Sequence, residues 1–287
     1  MIIEEQLKGL QRALGETNIT EKPKIISVAS GKGGVGKTNI AINLGIIFSK
    51  MGKRVLVLDG DLGLGNVNVV LGIIPKYNLY HVMKGGMSLR DVIVKSEEIG
   101  IDIVATGSGF TQLAELEEME RRKFIDELKT LSDYDILIID TAAGIGKNVI
   151  SFVLASHEAI IVTTPEPTAI TDAYGIIKAI SAESLKLSSN VKLVINRVKN
   201  PSEGIKIADR ISTVAGQFLG VKIESLGYIP EDPVVELAVR KQQPFVLSFP
   251  NSQATLHLKH VAQRLENMKV KDEDKGLNRL FRVLFGG

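Results

Sequence analysis

Nine residues, SGKGGVGKT at positions 30–38, hold four glycines and two lysines where a packed strand or helix would carry side chains. From Gly31 to Thr38 they fit the spacing GxxxxGK[ST], and they lie between the apolar run KIISVAS and a helical pattern. Gly31, Gly33, Gly34 and Gly36, with Val35 among them, let the backbone turn tightly enough to aim N–H groups at phosphate oxygens. The helix that opens at Lys37, Thr38 and Asn39 adds the positive end of its dipole. In such a loop Lys37 reaches the β- and γ-phosphates of a nucleotide, and Thr38 offers a hydroxyl to Mg²⁺. Lys32 is surplus to this scheme, because an ordinary phosphate loop needs no cation directly after its first glycine.

Carboxylates stand at matching places further on. DYDILIIDTAAG runs apolar residues into Asp140, the layout of a strand whose carboxylate holds Mg²⁺, usually through water. VLVLDGDLGLGN puts Asp59 and Asp61 at the C-terminal end of another apolar strand, where open α/β sheets bind their ligands. The chain has no cysteine, which removes disulfides, thiolate metal sites, iron–sulfur clusters and a cysteine nucleophile.

The elements that must position these groups read as an α/β fold: a doubly wound, mostly parallel sheet with helices on both faces. KIISVAS, KRVLVLD, IDIVATG, DYDILIID, EAIIVTT, VKLVINR and SLGYIP are the candidate strands. Most are apolar throughout, as strands buried on both faces should be. Helical patterns follow Lys37 and run near 112–131, 168–187 and 203–219. At 287 residues, with 44% hydrophobic and 24% charged residues, one large core is expected. A net charge of +2, without a continuous basic patch, gives no reason to expect a nucleic-acid partner.

The expected division is an N-terminal helix and linker at 1–22, a nucleotide domain at 23–266, a charged linker at 267–275 and a terminal amphipathic helix at 276–287. Ile3, Leu7, Leu10 and Leu14 recur at helical spacing in the first segment. In the last, Leu277, Leu280, Phe281 and Leu284 share a face that Phe285 extends, with Arg279 and Arg282 opposite. Such a helix suits a membrane surface. No signal layout or spanning run is read, so the chain is expected in the cytoplasm, reversibly at the inner face of the cell membrane.

KGGVGKT with its extra lysine resembles the signature of the MinD/ParA ATPases, the family with a deviant Walker A loop. That resemblance implies a homodimer sandwiching two ATP molecules, with Lys32 crossing to the partner's phosphates as an arginine finger does. It implies that Asp61 orients the attacking water and Asp59 assists near the metal. It also places Asn196, with Arg197 beside it, and the loop Pro230, Glu231 and Asp232 around adenine. The family commonly has proline where Ala142 stands, which implies a small change in the switch II loop. The implied cofactors are ATP or ADP and Mg²⁺, and the implied activity is slow hydrolysis switched on by dimerisation.

TTPEPTAITDAYGIIKAI, DLGLGNVNVVLG and IPEDPVVELAVRKQQPF resemble the branch that regulates the number and placement of flagella, called FlhG, FleN or YlxH. That branch implies the signal-recognition-type GTPase FlhF, the C-ring proteins FliM and FliN, and in some bacteria a flagellar transcriptional regulator as partners. EEQLKGLQ is similar to its activator motif, with Leu7 in place of alanine and Gln11 in place of arginine. The alternatives are a division-site MinD, a DNA-partitioning ParA and a small-molecule kinase. The kinase would leave Lys32 and the terminal helix without a task.

Overall fold

The computed structural model describes residues 23–61, 65–83, 86–106, 127, 130–183 and 190–267. The N-terminal helix, most of the charged linker, the terminal helix with Leu277, Leu280, Phe281, Leu284 and Phe285, and most of the helical pattern at 112–131 lie outside them.

Eight strands form one sheet: β1 (Lys24–Ser30), β2 (Val55–Gly60), β3 (Val94–Ser96), β4 (Ile101–Val104), β5 (Ile136–Ala143), β6 (Glu158–Thr163), β7 (Val191–Val198) and β8 (Glu224–Pro230). Their order is β3-β4-β2-β5-β1-β6-β7-β8. All pairings are parallel except that of β3 with β4. The chain leaves β1 toward β2 on one side and later returns to build β6, β7 and β8 on the other. The loop after β1 therefore opens where the winding reverses, the usual ligand crevice of such sheets.

The helices are α1 (Lys37–Lys50), α2 (Val67–Val70), α3 (Leu79–Met83), α4 (Leu89–Val92), α5 (Lys147–Ala155), α6 (Pro167–Glu183), α7 (Pro201–Leu219), α8 (Pro233–Arg240), α9 (Phe245–Ser248) and α10 (Gln253–Glu266). Alternation along the strands sorts the core into two layers. Ile26, Val28, Ile136 and Ile138 face α1 and α10, where Ile40, Leu44, Leu258 and Val261 meet them. Ile25, Leu137 and Ile139 point to the opposite face, toward Leu79, Leu89 and Phe152. Further along that face Ala29, Ile161 and Leu193 pack beneath α6 and α7. Both sides of each central strand are thus covered, which is why those strands read as continuous apolar runs.

Helix boundaries follow local chemistry. Asn200 accepts the Glu203 N–H, Pro201 opens α7, and Gly220 closes it at φ 66°. Asp232 and Pro233 open α8 in the same way. α1 is different, with residues Ile40 through Phe48 all buried. A helix sunk this deeply holds the phosphate loop at its N-terminus rigidly against the sheet.

All seven candidate strands are strands. The additional one, β3, has only three residues and a half-exposed pattern. β5 runs on past Asp140 to Ala143, where Ser30 pairs with Ala143. Alanine at 142 keeps an N–H and leaves the strand free to continue, as proline would not.

Candidate functional site

The loop 31–36 leaves β1 and turns into α1 under tight steric limits. Gly34 and Gly36 have φ of 78° and 94°, a region that L side chains rarely adopt. At Gly36 a Cβ would also lie 2.4 Å from Asn196 Nδ2, and at Gly31 one would lie 2.1 Å from the Asp172 carbonyl oxygen. Gly36 is therefore fixed by a neighbour as well as by backbone conformation, and Gly31 by its neighbour alone. Asn196 completes the turn by donating to the Val35 carbonyl at 2.8 Å.

Lys37, Thr38, Asp59 and Asp140 converge at the C-terminal ends of β1, β2 and β5. Lys37 Nζ lies 2.6 Å from Asp140 Oδ1, with the two side chains 10% and 2% exposed. The Thr38 hydroxyl donates to Asp140 Oδ2 at 2.6 Å. Burial raises the pKa of Asp140, and Lys37 and the Thr38 hydroxyl pull it back in part. Asp59 is the register partner of Asp140 across β2 and β5. Its carboxylate accepts the N–H groups of Asp61 at 3.1 Å and Val67 at 3.2 Å. The Thr106 hydroxyl donates to the Asp59 backbone carbonyl. Burial, reinforced by the negative charge of Asp140, pushes the Asp59 carboxyl up to about 7.

A buried lysine, a threonine hydroxyl and two carboxylates with raised pKa values form a site short of positive charge. The donors are hard oxygens, the set that suits Mg²⁺ and not a soft metal. A divalent cation would bring both carboxylates back to the ionised form. The residues present therefore fit Mg²⁺. Among the described residues no group of three or more His, Cys, Asp or Glu forms a self-sufficient metal cage.

Beside the loop is a cleft of about 510 Å³. Gly36, Asn39 and Ile40 form one wall, Asn196, Arg197 and Pro230 through Asp232 the next, and Val235, Val239 and Phe245 the remainder. Apolar Ile40, Val235, Val239 and Phe245 offer a purine ring its faces, and Asn39, Asn196, Arg197 and the acidic residues offer its edge polar partners. Asp232 also serves the fold, with Oδ1 accepting from Val234 N–H and Oδ2 from Ala254 N–H, so it pins the starts of α8 and α10 together. Arg197 has φ 58°, uncommon for a residue with a side chain.

Lys32 is held within its own chain. Its Nζ donates to Glu166 Oε2 at 2.7 Å and to Thr168 Oγ1 at 2.9 Å. The ammonium depresses the Glu166 pKa. Both partners flank the start of α6, which brings the lysine to the rim of the site, away from Asp140. Sequence reading missed Glu166 and Thr168 as partners of Lys32, although the signal was there: both sit in the EPT triplet of TTPEPTAITDAY.

Residues 23–195 match the family described as an AAA domain, AAA_31. The chain is 39% identical to the antiactivator FleN of Pseudomonas aeruginosa over 88% of this chain and 90% of that one. It is 34% identical to the flagellum site-determining protein YlxH of Helicobacter pylori over 91% of this chain and 89% of that one. The structure of the septum site-determining protein MinD of Pyrococcus horikoshii, complexed with Mg-ADP, superimposes with a TM-score of 0.69 at 27% identity, covering 85% of this chain and 96% of that one. With this loop, this sheet order and these relatives, the chain belongs to the MinD/ParA family of P-loop ATPases.

Proposed function

We propose that the chain is an ATP-dependent switch of the FlhG/FleN type, which hydrolyses ATP slowly and sets the number and placement of flagella. The observation that carries the nucleotide half of this reading is the convergence of Lys37, Thr38, Asp59 and Asp140 beside a purine-sized cleft. The flagellar half rests on the two relatives named for that role.

The residues divide the work. Lys37 stands where its ammonium can exchange the Asp140 carboxylate for the denser charge of the β- and γ-phosphates. Thr38 and Asp140 would hold Mg²⁺, with Asp59 assisting. The cation supplies charge neutralisation on the phosphoryl oxygens. Loop N–H groups from Gly33 to Lys37 bind the phosphates, and Asn196, Arg197 and the 230–232 loop enclose the base. Asp61 aligns the attacking water; little base strength is needed, because the transition state is loose.

Lys32 supplies the conditional part. A dimer in which it reaches the partner's phosphates requires it to leave Glu166 and Thr168, both of which are solvent-accessible contacts and cheap to break. Hydrolysis then depends on a second copy being present.

The segment 276–287 provides the output. Four or five large apolar side chains at about 1.5–3 kcal/mol each, less the cost of ordering the helix, give weak attachment to a bilayer. Nearby basic residues add about 1 kcal/mol each on anionic lipid. Two copies in an ATP dimer bind by avidity where one does not. FlhF, FliM and FliN, and in some bacteria a flagellar transcriptional regulator, are the partners this reading expects, with the 1–22 segment as the contact for FlhF.

One experiment tests the switch: sedimentation of the full chain with anionic liposomes in Mg²⁺·ATP and in Mg²⁺·ADP, beside a truncation ending at Asp274. Binding in ATP alone that the truncation loses is the expected result. Equal binding in both nucleotides, or in neither, would sink the membrane switch.

A further inference from the structure

Asn43 lies in the second turn of α1, with none of its surface exposed. Asparagine is a poor helix-interior residue, and a buried amide costs free energy unless its groups are paired. Here they are paired across the fold. Asn43 Nδ2 donates to the Asn39 carbonyl at 2.8 Å. Asn43 Oδ1 accepts the Val246 N–H, a buried contact of 3.0 Å between positions 203 residues apart. Asn39 lines the cleft beside the phosphate loop, and so does Phe245, the neighbour of Val246. One amide therefore ties α1 directly to α9, two elements that both contribute to the lining of that cleft.

We infer that Asn43 is a positioning residue for the nucleotide base: it fixes the separation of the α1 and α9 walls and so sets how tightly the cleft grips a purine. This rests on reading the site as a nucleotide site. The phosphate loop has anchors other than the bond to Val246, because Val35 is held by Asn196, and Lys37 and Thr38 by Asp140. Loss of Asn43 should then weaken binding of the base and leave binding of the phosphates unchanged. A purely structural asparagine would weaken both, or neither.

The test compares Mg²⁺·ATP with Mg²⁺·tripolyphosphate, which carries the phosphates without the base, by calorimetric titration of the full chain. Asn43→Ala removes both bonds. Asn43→Ser keeps a hydroxyl able to reach the carbonyl four residues back but cannot reach Val246, and it serves if the alanine variant fails to fold. Each should lose about three- to tenfold in ATP affinity, as one or two hydrogen bonds would give, with tripolyphosphate affinity unchanged. Parallel loss of both ligands, or loss of neither, would overturn the inference. Failure of the unsubstituted chain to bind tripolyphosphate would overturn the phosphate-site reading as well, and this inference with it.

Discussion

The two ends of the central strands both bury charge, and they do so in opposite ways. At the N-terminal edge Lys192, its side chain 8% exposed, lies 2.8 Å from Glu224 and 3.8 Å from Glu158, each at the start of its strand. Lys24 stands close by, donates to the Leu265 carbonyl, and has its pKa lowered by burial against the pull of Glu158. Cations and carboxylates there are matched within the chain. At the C-terminal edge Asp59, Asp61 and Asp140 outnumber the one buried lysine, Lys37, and the carboxyl groups of Asp59 and Asp140 are pushed upward. One end is closed electrostatically; the other is completed by what binds there.

Four measurements can break or sharpen that contrast. Lys192→Met should cost the most, about 3–5 kcal/mol in urea unfolding, because it breaks the ion pairs that a buried lysine makes with Glu224 and Glu158. ATP affinity in the same variant should be unchanged, and a fall would mean that the two ends are coupled. The second concerns pH. Asp59 has a folded pKa of about 7 against an ordinary value of 3.8, so the unfolded chain releases this proton first. Stability should therefore fall as pH rises from about 4 through 7, by up to about 4 kcal/mol at this residue. Melting curves in EDTA should show the slope, Asp59→Asn should flatten it, and an identical slope in that variant would assign the effect elsewhere.

Third, Lys37→Ala should weaken ATP by about a hundredfold, the worth of charge-assisted hydrogen bonds to phosphate. Near-normal affinity would remove Lys37 from the site. The smallest effect in free energy is expected from Asp61→Ala, with ATP binding retained and turnover lower by about ten- to a hundredfold. An unchanged rate would transfer the water-orienting task to another group.

Legibility in the sequence tracked distance along the chain. The phosphate loop is contiguous, and the central strands announce themselves because both faces are buried, so each could be read directly. β3 was invisible because VKS is too short and too exposed to form an apolar run. The contacts that give the site its detail span long separations: Lys32 to Glu166 covers 134 residues, Gln242 to the Val69 carbonyl 173, and Asn43 to Val246 203. Residue type alone cannot announce such partners. Asn43 in particular reads as one more polar position in a helix until the segment after α8 is seen to close over it.

The sheet's margins carry a consequence for assembly. One outer strand, β3, offers three residues running against its neighbour, with Lys95 at its centre. At the other, β8 bends at Gly227, where φ is 124° and the pairing with β7 slips register. Two of its carbonyls, Ser225 and Tyr228, are taken by Arg264 and His257 of α10. Among the described residues, neither border offers a long, flat run of open backbone groups to a further strand. Contact between copies at these borders would therefore fall to side chains and not to backbone pairing.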